Sequence, residues 1–151
     1  MRPASDSRRQ FGTLISQTAR QWRRAVDREL QPYGLTEATW LPLLRVARAA
    51  KPMHQKDLAE SLGLDGSSVV RLLDNLQSMG LIERREATDR RAKAIHLTAL
   101  GEETVARAEG ASRRVGERAL AGLHDEEIVR TFAILDQICA SLVPAGGERA
   151  A

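Results

Sequence analysis

A chain of 151 residues with 42% hydrophobic content suffices for one compact domain, or for a smaller module with helical arms attached, and an aromatic share of 3% makes its core mostly Leu, Ile, Val and Ala, which favours helix. No apolar run approaches the roughly 18 residues of a membrane span, MRPASDSRRQ lacks the apolar stretch of a secretory signal, and the lone Cys139 offers no internal disulfide, so a cytoplasmic protein is expected. Net charge is only +3, but residues 1–50 carry nine basic and four acidic side chains, residues 51–98 eight and seven, and residues 99–151 six and nine; this suits either a polyanion met on one side or an ordinary mixed surface.

Residues 1–6 and 144–151 read as disordered ends. Helical spacing of Phe11, Leu14, Ile15, Thr18, Trp22, Val26 and Leu30 predicts a first helix over Ser7–Leu30, stopped by Pro32, Tyr33 and Gly34. Thr36 is the expected N-cap of a second helix, about Glu37–Ala50, which Pro42 should bend. Helices over 54–62 and 65–79 and a hairpin over 81–98 follow, then helices at about Ala99–Leu120 and Asp125–Val143. In the last, Ile128, Phe132, Leu135, Cys139 and Leu142 form one apolar stripe. The first and last helices carry more apolar surface than a small module covers. A second copy of the chain is the expected partner, with packing inside one monomer the alternative; Phe11 and Leu14 join the last helix's stripe as dimerisation residues.

Residues 55–74 read as a helix-turn-helix. Leu58, Ala59 and Leu62 form the buried face of a short helix, Ala59 being small enough for a close crossing. Gly63 sits where the chain must turn sharply, and Asp65 or Ser67 can cap the next helix. Val69, Leu72, Leu73 and Leu76 then give the face that packs on the first. At about 100° per residue, Ser67, Arg71, Asp74 and Ser78 lie opposite that face, flanked by Ser68, Val70 and Asn75. The N-terminal half of such a helix reaches base edges, so Ser67, Ser68, Val70 and Arg71 are the expected readers. A solvated surface is the plainer reading of each residue taken alone.

After Gly80 the helical period stops. Two short strands, Leu81–Glu86 and Lys93–Thr98, are expected around Ala87–Ala92, with Ile82, Ile95 and Leu97 facing inward. Arg84, Arg85, Arg90, Arg91 and Lys93 outnumber Glu86 and Asp89. A basic hairpin placed after a recognition helix can follow the DNA backbone and put an Arg into the minor groove. Arg84, Arg90, Arg91 and Lys93 are therefore expected DNA contacts. Asp89, two residues before Arg91, is suited to orient its guanidinium. The overall expectation is mainly α with a small β-hairpin wing: a winged helix-turn-helix over 35–98, flanked by dimerisation helices over 7–34 and 99–143.

In this order, the helix opening Leu35-Thr36, the helix-turn-helix, Gly80-Leu81-Ile82-Glu83-Arg84, the Asp89-Arg90-Arg91 tip and the Leu97-Thr98-x-x-Gly101 exit resemble the MarR family across about residues 10–143. The resemblance implies a transcriptional regulator: an α-helical homodimer whose recognition helices enter successive major grooves of a pseudo-palindrome in double-stranded DNA. It further implies wings in the flanking minor grooves, Arg91 in the minor-groove role, and repression relieved by a small, often aromatic or phenolic, acid. The tip has Glu86-Ala87-Thr88 where the family often has Asp-Pro, and Pro42 is unusual for it. Cys139, on the last helix's stripe, does not match the N-terminal peroxide-sensing cysteine of some relatives.

Trp22 and Trp40 fall where the resemblance puts the effector pocket. An indole can stack on an aromatic acid and Arg20, Arg23 or Arg45 can meet its carboxylate, or both indoles are packing. His54, His96 and His124 lie on different elements, and neither a metal-ligand motif nor a phosphate-cradling glycine loop is present. Enzyme activity, a cofactor and a metal are not expected. A helical dimeric scaffold without ligand-gated DNA binding is the rival reading.

Overall fold

A computed structural model describes residues 4–86 and 93–143 of the chain. In chain order its elements are α1 (Ala4–Leu30), a 3-10 turn (Gln31–Tyr33), α2 (Glu37–Arg48), α3 (Gln55–Leu62) and α4 (Gly66–Ser78). The hairpin strands β1 (Ile82–Glu86) and β2 (Lys93–Leu97) follow, then α5 (Ala99–Leu120) and α6 (Asp125–Leu142). Mainly helix with a small hairpin is the expected class. The first helix starts at Ala4, three residues earlier than its apolar spacing indicates, so residues 4–6, read as part of a disordered end, are helical. Among the described residues no helix is long and apolar enough to cross a membrane.

The core lies where the helix-turn-helix meets the inner ends of the arms. Val26 and Leu30 of α1, Trp40, Leu43 and Leu44 of α2, Leu58 of α3, and Val69, Leu73 and Leu76 of α4 are all buried in one cluster. The α5 stripe Val105, Ala108, Ala111 and Val115 closes it, its small side chains letting that helix lie close to α1 and α2. Across the α1–α5 seam, Glu29 accepts from Arg114 Nε at 3.1 Å and from an Arg118 terminal nitrogen at 2.6 Å. The two guanidiniums hold its carboxyl below the usual carboxylate range.

Thr36 occupies the N-cap position of α2, but its hydroxyl makes no capping bond. Its backbone carbonyl takes the N–H groups of Thr39 and Trp40 instead. Pro42 is buried inside α2, which ends at Arg48 rather than Ala50.

The hairpin is antiparallel, with Ile82 opposite Leu97, Arg84 opposite Ile95 and Glu86 opposite Lys93. Ile82 and Ile95 are buried as expected, whereas Leu97 is half-buried. Residues just before α3 also join β2: the Ile95 N–H donates to the Met53 carbonyl at 2.8 Å, and His54 pairs with Ala94.

The turn out of α4 is fastened to the start of α5. Thr98 donates its N–H to the Leu81 carbonyl (3.1 Å) and its hydroxyl to the Gly80 carbonyl (2.5 Å). The same hydroxyl oxygen accepts the Gly101 N–H at 3.1 Å, capping α5. A Cβ on residue 101 would lie 2.0 Å from the Leu81 carbonyl oxygen, so only glycine permits this approach.

Candidate nucleic-acid interface

The turn between α3 and α4 is made at Gly63, whose φ of +64° is the left-handed region open to glycine. Asp65 then caps α4: its carboxylate accepts the Ser68 N–H (2.8 Å), the Ser67 hydroxyl (2.7 Å) and the Ser68 hydroxyl (2.9 Å). These donors, Ser67 foremost, pull its pKa down to about 2. Both serine hydroxyl protons are thus committed to Asp65 in this structure, a use the sequence does not announce. The oxygens keep lone pairs for an incoming donor.

With Val69, Leu73 and Leu76 buried, α4 turns Ser67, Arg71, Asp74 and Asn75 to solvent, while Ser68 and Val70 are half-buried. Arg71 has no ion pair to another described residue, so its guanidinium is available for forked contacts on this face.

Beside α4 lies a notch of about 590 Å³ lined by His54, Gln55 and Lys56 at the start of α3, Gln77 of α4, and Arg84, Lys93 and Ile95 of the hairpin. The His54 N–H donates to Asp57 (2.9 Å), and the ring Nδ1 lies 3.4 Å from the Lys93 carbonyl, which ties the start of α3 to β2. This tie sets Lys56 beside Lys93, a cationic neighbour that no local pattern signals. Arg84 departs from its expected free position: it bonds to Asp74 and Gln77 of α4. Asp89, Arg90 and Arg91 lie outside the described residues.

Of the candidate effector residues, Trp22 and Trp40 both join the core cluster, while Arg45 stands on another face of α2. Trp40 is 4% exposed within the core, its indole N–H donating to Asp27 at 3.1 Å. Trp22 is half-buried against α5, near Gly116. Arg45 is exposed, five residues along α2 from Trp40 and so about 140° around the helix. The geometry suits packing for Trp40 and gives Arg45 a different face.

The arms present bare apolar surface. No residue of α6 is buried; Phe132 is 73% exposed and Leu142 76%. Leu135 and Cys139 are exposed and Ile128 is half-buried. On α1, Phe11 and Leu14 are exposed too, Leu14 at 59%.

A MarR family model matches residues 33–92. The crystal structure of transcriptional regulator PA3341 is 41% identical with a TM-score of 0.77, covering 87% of this chain and 97% of its own. CouR from Rhodococcus jostii RHA1, solved bound to p-coumaroyl-CoA, is 27% identical with a TM-score of 0.71, covering 91% and 95%. MepR from S. aureus, solved as a DNA complex, is 25% identical with a TM-score of 0.73, covering 88% and 98%. The exposed α4 face, the hairpin beside it and these likenesses agree: the chain belongs to the MarR family of winged-helix, DNA-binding transcriptional regulators.

Proposed function

We propose that this protein is a homodimeric repressor that binds a palindromic operator and is released by a small aromatic or phenolic acid. The observation that carries the DNA part is the exposed N-terminal half of α4 standing beside the cationic notch of Lys56 and Lys93. Arg71 can fork onto guanine and Val70 can meet a thymine methyl, while Ser67 and Ser68 present oxygen lone pairs to base amino groups. Lys56 and Lys93 take phosphates; at the wing tip Arg90 and Arg91 take phosphate and minor groove, with Asp89 orienting Arg91.

Residues 35–98 form the DNA-binding unit in this reading, and residues 7–34 and 99–143 the dimer arms. The bare faces of α1 and α6 cover one another across a two-fold axis, which spaces the two α4 helices for successive major grooves. That a small molecule binds draws its support from the relative solved bound to p-coumaroyl-CoA. Half-buried Trp22 is the natural reporter of a ligand near α1, α2 and α5. The protein works in the cytoplasm, where its DNA is.

The test is binding of the full-length protein to DNA from its own gene neighbourhood in low salt, with light scattering for mass. Wild type should bind as a dimer, and Arg71→Ala should lose discrimination among sequences by about 1–3 kcal/mol. An aromatic acid from a broad panel should lower the affinity and quench tryptophan fluorescence. A stable dimer that binds neither this DNA nor nonspecific duplex would make the protein a scaffold, and a panel without effect would remove the acid switch.

A further inference from the structure

We infer that Arg84 is a positioning residue for DNA recognition: gripped by Asp74 and Gln77, it fixes the angle between α4 and the hairpin and does not itself contact DNA. This inference rests on the DNA-binding reading above. Arg84 Nε donates to Gln77 Oε1 at 2.7 Å, and one of its terminal nitrogens donates to Asp74 Oδ1 at 2.5 Å. The two acceptors lie three residues apart on α4, so they are neighbours on one face. A planar fork held at two points fixes direction as well as distance, which a single ammonium contact does not.

Pairing explains why this Arg and not the next one is captured. Arg84 faces Ile95 across the hairpin and shares a sheet face with Ile82, the side turned toward α4. Its side chain is 24% exposed, whereas that of Arg85, on the opposite face and paired with Glu83, is 63% exposed. A phosphate approaching Arg84 would also meet the Asp74 carboxylate, whose side chain is 57% exposed. Among the described residues no carboxylate lines the notch that Lys56 and Lys93 share, so these are the cations it presents to a phosphate.

The lever is long. Five strand residues at about 3.3 Å each extend about 16 Å, so a tilt of roughly 10° at the base moves the far end by about 3 Å. That displacement breaks a hydrogen bond, whose useful range ends near ~3.2 Å for N–H donors. Recognition in two grooves therefore depends on a fixed angle.

The experiment begins with duplexes selected by the wild-type full-length protein from a random pool; if it selects none, the DNA-binding reading fails and takes this inference with it. Asp74→Ala then gives a test of sign. It removes a negative charge from a helix facing a polyanion, so electrostatics alone has it bind more tightly. Loss of the grip has it bind on the order of tenfold more weakly, the size typical of one coupled side-chain network. Hydroxyl-radical footprints should lose protection at the outer flanks and keep it in the central major grooves. Arg84→Lys retains the charge without the fork and should share the defect, and Asp74→Ala/Arg84→Ala should be no worse than either single change. Asp74→Ala binding as tightly as wild type or more so, or Arg84→Lys binding like wild type, would make Arg84 a DNA contact and overturn the inference.

Discussion

Gly101→Ala separates close packing from intrinsic helix preference, because the two predict opposite signs. Alanine is the better helix former by about 1 kcal/mol, so propensity alone makes the substitution stabilising. In the structure the new methyl would sit 2.0 Å from the Leu81 carbonyl oxygen, 3.1 Å from its carbon and 3.3 Å from Leu97 Cδ2. Two of these atoms are backbone, so relief requires moving the α4–β1 turn or the start of α5 by about 1 Å or more, since carbon–oxygen contacts below ~3 Å are repulsive. Such a shift strains all three Thr98 bonds, to Leu81, Gly80 and Gly101. Overpacking costs about 1–3 kcal/mol and a lost cap about 1 kcal/mol; net of the propensity gain, about 1–3 kcal/mol of stability should go. At about 2–4 °C per kcal/mol for a chain of this size, the melting temperature should fall by roughly 2–12 °C. The assay is thermal melting at fixed protein concentration, because an oligomer's midpoint depends on it. Gly110→Ala, in the same helix, is the control: its methyl would meet only the far end of the flexible Arg114 side chain, at 3.4 Å, and should stabilise by up to about 1 kcal/mol. If Gly101→Ala melts at or above wild type, the close approach does not constrain the fold and the reasoning is wrong.

Asp65 has a pKa depressed from 3.8 to about 2, so its cap stabilises α4 fully above pH 4 and the benefit is lost as pH falls toward 2. Asp65→Ala should erase that part of the acid sensitivity, read from melting temperatures across pH 2–5; an unchanged acid profile would deny the cap this role. Lys56→Ala should lower the slope of log affinity against log salt by about 1 while leaving sequence preference intact, as for one lost phosphate contact; an unaltered slope would place Lys56 off the DNA. Phe132→Asp should shift the mass measured by light scattering from dimer toward monomer. Full burial of Phe is worth about 1.5–3 kcal/mol and a two-fold axis counts it twice, so the dimer constant should weaken by at least about a hundredfold; an undisturbed dimer would put Phe132 outside the interface.

What the sequence makes legible follows how strictly packing dictates residue type. The helix-turn-helix can be read from Leu58, Ala59, Gly63, Val69, Leu73 and Leu76 because each position tolerates few side chains, and all occupy the expected places. Caps are less legible. Thr36 has the right type at the right position, yet its hydroxyl is not used, because the rotamer depends on surroundings that local sequence does not encode. Asp65 and Ser67 are both plausible caps of α4, and the structure makes one the acceptor and the other its donor. Arg84 was within reach of sequence reasoning. Strand alternation places it on the face of Ile82, turned toward Asp74 and Gln77, but counting it with the hairpin's other cations conceals that face. Lys56 was not within reach: its place beside Lys93 follows from the pairing of Met53 and His54 with β2, a contact made far along the chain.

The two tryptophans and α6 show the same division from opposite sides. Helical spacing locates Trp40 on α2, but only the tertiary arrangement shows that its indole N–H is spent on Asp27 and its ring on the core. For α6 the spacing of Ile128, Phe132, Leu135, Cys139 and Leu142 states that a face must be covered, and folding one chain leaves that helix without a buried residue. An apolar stripe is evidence of burial, not of the surface that supplies it. For Trp40 that surface belongs to the same chain. For α6, whose Phe132 remains 73% exposed, the proposed homodimer would supply it from a second copy, which makes the mass of Phe132→Asp in solution the direct measurement of that proposal.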